Sequence, residues 1–520
     1  MDGSVDKQLP AKGEDPLYWH AFREFKGVYT RSDRTAMPED NFYDLENLMP
    51  IGPANMHVVP NISAALYNFA GDTIYFYQYA QVATVQYLIA FATNGKVFSY
   101  NLSNSVVAQI NIGTPLSGAG SRMAQWMNQY VLFIDSSGYY SWDGTTFTLR
   151  NGANQPATGV DIAVYAGRVW VASGRLIVVT SVYDTGADDP TGNTAWTAAE
   201  GSSFVNMTDP TLTGNIVRLY SCNGYLYIIG DTCVYALSDV YVPAGASPPT
   251  PVFTITNIQA IIGTDQPTSI FPYNRSLMFA NRYGAWAVNG VDAQRMSEDI
   301  DGTWQYLSFS PAISGGQCIV ENILCAAFLL QRSNDPVFGS TCVVGMWFDG
   351  KWWFGNFGSI TFIASAFLNN VPTLFVLIGN KLYTLYTNTA SYPATQAVTP
   401  LWAMEDPISI KEIVRAGLEL VTFVSGGNVT VNVDGTGGSS SVAVSAVPGT
   451  LTFIGASSIP ISFLGAGSVP IVWTVGSYTL YQGPPPGVFS HYIGMTITTS
   501  GVSAQLSSFF MDYKKRARWV

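Results

Sequence analysis

The chain has 520 residues, of which 48% are hydrophobic, 13% aromatic and only 11% charged, and its formal net charge is -11. Ordinary soluble domains carry about 25% charged residues, so this surface is either kept soluble by hydroxyls and amides or covered in an assembly. The acidic balance excludes a sequence-specific nucleic-acid binder, which needs basic surface to neutralise phosphates; a protein that guides DNA by repelling it stays within bounds. The length allows two to four domains and a large core, and abundant Gly, Thr, Ser, Val and Tyr favour strands and turns over helices.

Residues 1–54 read as a charged arm or docking segment. Ten acids and six bases fall in the first fifty residues, against 35 and 24 in the whole chain. The stretch predicts extended chain with one short helical turn near "PEDNFYDLENL", and arms of this kind dock on a neighbour or stay disordered. Its start, "MDGSVDKQLPAKGEDP", lacks the apolar core of a signal peptide, and no apolar run reaches the ~18 residues that span a membrane. Synthesis in the cytoplasm and no stable membrane insertion are therefore expected.

From 55 to 400 the pattern is a series of short strands. Six hairpins share one form, an apolar strand, a glycine turn and a strand of alternating aromatics, with turn glycines at Gly95, Gly138, Gly174, Gly230, Gly284 and Gly379. A looser seventh surrounds Gly345 to Gly355. Their mean spacing of about 47 residues lies in the range of β-propeller blades. A lone hairpin cannot bury both faces, whereas four-stranded sheets stacked about an axis bury one another. An irregular propeller of six to eight blades is expected, with polar insertions at Asp184–Ser203 and Tyr241–Thr254. Residues 401–520 read as an antiparallel, sandwich-like β domain that opens with a hairpin over Lys411–Gly435, turning at Gly426 and Gly427. The chain is thus all-β.

Two aromatic-Asp-Gly steps, at Asp143-Gly144 and Asp349-Gly350, invite comparison with carboxylates ringed by sugar-stacking aromatics. Asp-Gly between alternating strands is a type I′ hairpin signal, and both are expected to be turns. "FIDSSGYYSW" places Asp135, Gly138 and Trp142 near the Asp-box pattern of propeller glycosidases, but with one residue too many between Asp and Gly. Hydrolysis of glycosides needs a carboxylate pair, and no motif nominates one. His20, His57 and His491 lack metal-ligand spacing, and phosphate-loop, zincin, nucleophile-elbow and EF-hand patterns are absent. No catalytic, cofactor-binding or metal residue is therefore nominated, and no cofactor is expected. The five cysteines contain no C-x-x-C pair; Cys222 and Cys233 flank one hairpin, either touching there or remaining free thiols. The strand aromatics are expected to pack blade against blade. At the C-terminus Lys514, Lys515, Arg516 and Arg518 form either a solvated tail or a strap that docks on an acidic neighbour.

The stretch "FKGVYTRSDRTAMPEDNFYDLENLMPIG", Phe25 to Gly52, resembles the opening of tail nozzle or hub proteins of short-tailed bacteriophages. The matching positions are Gly27, Thr30, Pro38, Glu39, Asp40, Asn47 and Leu48. The family's following Arg-Pro-Gly-like element is replaced here by "GPANMHVVPNIS". The resemblance implies a structural virion protein in a homo-oligomeric, six-fold ring. Such a ring would dock to portal or adaptor and to tail fibres, and would pass genomic DNA without sequence-specific contacts. An acidic lumen would keep DNA sliding rather than sticking. The expected location is the virion tail, and no catalysis is expected. The rival reading is a carbohydrate-binding or carbohydrate-degrading propeller, a tail-associated depolymerase or lectin.

Overall fold

A computed structural model describes residues 16–118, 120–183, 189–259, 262–310, 312–336, 338–404, 406–423, 428–436, 438–445, 453–454, 460–461, 479–482, 487–501 and 503–516. The fold is all-β: among the described residues the one α-helix is a single turn, Asp301–Trp304. Two compact units emerge. The first combines residues 1–61, 349–356 and 386–520, and the second 62–348 and 357–385. The linear division at residues 54 and 400 is thereby replaced, because the first unit gathers strands from both chain ends.

In the first unit one antiparallel sheet runs in the order Leu48–Gly52, Asn55–Val58, Ala504–Arg516, Ile410–Phe423, Thr479–Gln482. Leu17–Phe22 adds to Ala504–Arg516, with Leu17 opposite Lys514 and Phe22 opposite Phe509. The charged N-terminal stretch is therefore packed chain from Leu17 onward, with strands at Leu17–Phe22 and from Asp44, rather than a free arm. Its apolar residues decide this: Phe22, Phe25, Phe42, Leu45, Leu48 and Met49 are all buried, and chain that hides this much apolar surface does not stay extended in water. The expected helical turn is absent as well; the strands Asp44–Glu46 and Leu48–Gly52 stand there. Residues 1–15 of the expected arm lie outside the described residues.

A second set of strands in this unit runs Asp44–Glu46, Thr395–Val398, Ile493–Ser500, Asn428–Gly435, Gly438–Ser445. The hairpin expected over Lys411–Gly435 does not form. Ile410–Phe423 pairs with Ala504–Arg516, whereas Asn428–Gly435 pairs with Ile493–Ser500 and Gly438–Ser445. Gly426 and Gly427 lie outside the described residues. Alternation announces that a strand has one apolar face, as Val429, Val431 and Val433 show, but it does not name the partner. In Ile410–Phe423 a register shift between Ile413 and Arg415 changes the buried parity, so that Ile413 and then Ala416, Leu418 and Leu420 face the core.

The second unit is a succession of small antiparallel sheets. The first four are consecutive in sequence: Ile74–Val82 to Val107–Gln109, Arg122–Trp126 to Phe147–Arg150, Asp161–Tyr165 to Ser203–Asn206, and Ile216–Cys222 to Val252–Gln259. A fifth spans Phe271–Tyr273 to Asp292–Arg295, and a sixth contains Gly315–Val320, Ile323–Arg332 and Cys342–Phe348. The seventh begins with Ile360–Leu368, Val371–Ile378 and Lys381–Thr384 and takes its fourth strand, Tyr67–Asn68, from ahead of the first sheet. First strands of successive sheets touch from Ile74–Val82 through Arg122–Trp126 and Asp161–Tyr165 to Ile216–Cys222. They touch again from Phe271–Tyr273 through Gly315–Val320 and Ile360–Leu368 back to Ile74–Val82.

Six hairpins stand between the second and third strands of their sheets as expected, although Gly230 closes one strand and Gly284 opens another rather than standing in the turn. The glycines serve two ends. Gly95 has φ of 82°, a conformation that costs L-residues. Gly230 is instead held by close packing, since a Cβ there would meet Leu212 Cδ1 at 2.2 Å. Aromatic rings lock neighbouring sheets together: Phe91 on Phe133 at 5.9 Å, Trp170 on Phe253 at 5.7 Å, Phe271 on Phe328 at 5.1 Å, and Tyr77 on Phe362 at 4.9 Å. Three of these are edge-to-face and the Phe271–Phe328 pair is tilted; such pairs add to area burial.

Candidate functional sites

The two Asp-Gly steps are turns of different kinds. Asp349 and Gly350 both have positive φ, 45° and 77°, as a type I′ turn requires. At Asp143-Gly144 only Gly144 does. Asp143 instead uses its own carboxylate: Oδ1 accepts from the Thr145 N–H at 2.8 Å, the Thr145 hydroxyl at 2.7 Å and the Thr146 N–H at 2.7 Å. That is an Asx turn closing a four-residue loop, not a two-residue hairpin. The dipeptide cannot distinguish the two, because loop length is set by where Trp142 and Phe147 pair.

Asp135 is also structural. It is buried and its carboxylate accepts from the N–H groups of Ser117, Ser137 and Gly138 and from the hydroxyls of Ser121 and Ser137. It thereby ties the loop before strand Arg122–Trp126 to the turn after strand Tyr130–Ile134. Gly138 leads into the next strand, and Trp142 packs edge-on against Tyr87 of the preceding sheet at 5.0 Å. The Asp-box-like residues hold turns and sheets.

Among the described residues no three His, Cys, Asp or Glu side chains gather as a metal site would need. His20 lies against Trp402 at 4.7 Å, and burial lowers its pKa to about 4. Its Nε2 is buried without a hydrogen-bond partner. All five cysteines are free. Cys222 packs with residues of the fourth and fifth sheets and Cys233 with the third and fourth, so they face opposite sides of the fourth sheet and do not pair. Of the C-terminal bases, Lys514, Lys515 and Arg516 belong to strand Ala504–Arg516 rather than to a tail. Arg516 donates to Glu412 through Nε at 2.6 Å, and Lys515 Nζ lies 4.8 Å over the Tyr18 ring. Arg518 lies outside the described residues.

Two concave places carry polar chemistry. The first unit holds a cleft of about 480 Å³ whose lining includes Glu46, Asn47, Asn356, Gln396, Thr430 and Thr498. Apart from Glu46 and Ala394 its lining side chains carry amides and hydroxyls. Asn47, a residue of the phage-like stretch, shapes the cleft: its φ is 58°, Nδ2 donates to the carbonyls of Asn356 at 3.1 Å and Ala394 at 2.7 Å, and Oδ1 accepts from the Asn356 N–H at 2.9 Å. Asn356 Nδ2 in turn donates to Glu46 at 3.0 Å. Other residues of the stretch are structural too. Gly27 has φ of 93°, and a Cβ there would meet the Trp352 carbonyl oxygen at 2.8 Å. Leu48 is buried, and Asp40 pairs with Lys26 at 2.8 Å.

The second place lies within the second unit, where sequence reasoning nominated nothing. Arg122, Asp161 and Arg218 start or sit within three successive first strands, and all three are buried. Arg218 Nε stands 3.9 Å from Asp161 Oδ2, which also accepts the Leu219 N–H at 2.6 Å. Arg122 donates from Nη1 to the Ser121 carbonyl at 2.8 Å. Both guanidiniums lie over Phe76, with Cζ to centroid distances of 4.9 Å for Arg122 and 5.9 Å for Arg218. Burial pushes the Asp161 carboxyl up, with both arginines acting against it. The available signal was a charge inside each of three apolar strands, "SRMAQW", "VDIAVY" and "IVRLYS", in a chain this poor in charge.

No family model matches the sequence. No curated protein matches it. Among solved structures, a structure of U3-55K is similar at 11% identity and a TM-score of 0.36, over 62% of this chain and 98% of that one. The extracellular domain of a hybrid two-component system from B. thetaiotaomicron is similar at 8% identity and a TM-score of 0.40, over 80% of this chain and 48% of that one. At these scores neither likeness carries an argument about fold or function.

Proposed function

We propose that the chain is a structural component of a short-tailed phage tail, a nozzle or hub subunit. It would assemble as a closed six-fold ring that docks to portal or adaptor and to tail fibres and conducts DNA. The observation that carries the proposal is the stretch Phe25–Gly52. Three of its seven matching residues have structural roles in the first unit: Gly27 for a close backbone approach, Asn47 for a left-handed turn, Leu48 for the core. A motif made of such residues tracks an architecture rather than a chemistry. In the same reading the seven sheets of the second unit are propeller blades, the seventh completed by Tyr67–Asn68, and the first unit is a sandwich-like domain. Catalysis has no part in it.

A surface that expects partners supports the assembly half of the proposal. Fourth strands form the outer edges of their sheets, and in several sheets they or their flanks expose large apolar side chains. Ile112 is 79% exposed and Phe204 70%, and Leu149 and Val252 are exposed likewise. Open apolar edges invite pairing and are usually blunted or covered. The net charge of -11 suits a conduit that repels DNA. Negative-stain microscopy of the purified protein tests the proposal: rings with a central hole are expected, and isolated globular particles under all assembly conditions would refute it.

The amide- and hydroxyl-lined cleft favours glycan binding as a second reading, since such groups bond sugar hydroxyls. Glu46 is the one carboxylate among its described lining residues, and glycoside hydrolysis calls for two, so this reading is of a lectin rather than a depolymerase. A glycan array probed with the full chain separates it from the first.

A further inference from the structure

Two guanidiniums and one carboxylate, all buried, cluster beside Phe76 in the second unit. Guanidiniums keep their protons at neutral pH, so Arg122, Arg218 and Asp161 leave one positive charge in excess. An unpaired charge buried away from water is strongly unfavourable. Desolvation and the like charge of Arg218 both act against protonated Arg122. The Phe76 face offsets part of the cost and cannot cancel it. Two polar atoms here are buried without hydrogen-bond partners, Arg122 Nε and Gln78 Oε1.

Of these groups, Arg218, Asp161 and Gln78 border open space, with Arg122 behind them. A cavity of about 180 Å³ is lined by Phe76, Gln78, Arg218, Tyr220 and Phe271 among others, and a second of about 220 Å³ by Gln78, Asp161 and Arg218. Arg218 and Gln78 line both. The walls combine aromatic faces with a few convergent polar groups, the make-up of small-ligand sites. The size is below the roughly 300–1,000 Å³ that drug-sized ligands take.

We infer that the first of these cavities binds the carboxylate of a small organic acid, held by Arg218, with the body of the acid against Phe76 and Tyr220. A monocarboxylate balances the single excess charge and matches the planar fork of a guanidinium. A phosphate would bring further negative charge next to Asp161 and is disfavoured for that reason. The ligand site is independent of the tail assignment.

The test titrates the full-length chain with benzoate, its neutral isostere benzamide and inorganic phosphate, reading heat of binding and thermal midpoint. Saturable binding of benzoate is expected, with benzamide and phosphate at least about tenfold weaker. Arg218→Gln should weaken benzoate by about tenfold or more while the far-ultraviolet spectrum stays that of the parent. Should that variant fail to fold, crystals of the parent soaked in 4-bromobenzoate decide: an anomalous bromine peak beside Phe76 supports the site, and a peak only elsewhere overturns it. Equal binding of benzamide and benzoate, phosphate binding as tight as benzoate, or no saturable benzoate binding up to about 10 mM each overturns the inference.

Discussion

Phe22 stacks on Phe509 with ring centroids 6.0 Å apart and planes 13° from parallel. One ring comes from the charged N-terminal stretch and the other from the last described strand. Phe22 also meets Phe42 edge-on at 5.0 Å and Trp402 at 5.6 Å. This cluster fastens both ends of the chain into one unit. Phe22→Ala is expected to cost about 3–5 kcal/mol, as large-to-small changes of buried aromatics do. Removing residues 1–40 deletes Phe22, Phe25 and the strand Leu17–Phe22 together, so loss of the first unit's cooperative unfolding is expected. Urea unfolding followed by tryptophan fluorescence checks both. A truncated chain with the parent midpoint would contradict the role of the cluster.

His20 supplies a pH signature. Its folded pKa of about 4 lies below the ordinary histidine value of 6.5. The unfolded chain therefore binds the proton more readily, and stability falls as pH drops from about 6.5 towards 4. The His20 contribution is complete above that window. We expect a loss of order 2 kcal/mol across it from this residue. His20→Phe should flatten that part of the stability profile, and an unchanged profile would show that another group titrates there.

The turn aspartates should respond differently. Asp349→Asn leaves a residue equally suited to positive φ, so a change within about 0.5 kcal/mol is expected. Asp143→Ala removes the acceptor of three hydrogen bonds and should cost about 1 kcal/mol or somewhat more. Thermal melts of the two variants measure this. Loss of a hydrolytic activity in either, with folding intact, would instead favour the carbohydrate-degrading reading.

Asp135 is the more demanding site. Replacing it with alanine removes the acceptor of the Ser117, Ser137 and Gly138 N–H groups, the last of them buried, at an expected cost of about 2 kcal/mol. Hydrogen exchange should show the loosening first in the turn 135–138. Uniform protection across the second sheet in that variant would contradict the bracing role.

Much of the second unit was legible because its signals are local. A glycine turn between an apolar strand and an aromatic strand is a hairpin whatever else surrounds it, and all six hairpins stand, with Gly230 and Gly284 at strand ends rather than in the turns. The first unit was hidden because its order is non-local. Nothing in "LYWHAF" announces that Leu17 will lie opposite Lys514, and charge density around it suggests an arm. The Gly426-Gly427 signal misled for a related reason: strong strand pattern on both sides fixes two strands, while burial of Val431 and Leu418 in separate sheets decides their partners. Buried Arg122, Asp161 and Arg218 were passed over because they come together only once successive first strands stand side by side. The carboxylate at Asp135 was noticed for a catalytic pattern, whereas its hydrogen bonds give it a bracing role.

The edge strands give a direct variant test of assembly. Phe204→Ser and Ile112→Ser remove exposed apolar surface without touching a buried side chain, so monomer stability should stay within about 0.5 kcal/mol of the parent. If those edges meet neighbouring copies, the double variant should lower the concentration-dependent association of the protein. Unchanged association would place the contacts elsewhere on the surface.

Sedimentation velocity of the full-length protein at micromolar concentration tests the assembly claim most directly. A discrete closed oligomer, six times the 56.2 kDa chain, is the expected result, and its sedimentation should not drift upward with concentration as an open polymer's would. A 56.2 kDa monomer at every concentration and salt condition would contradict a ring-forming subunit.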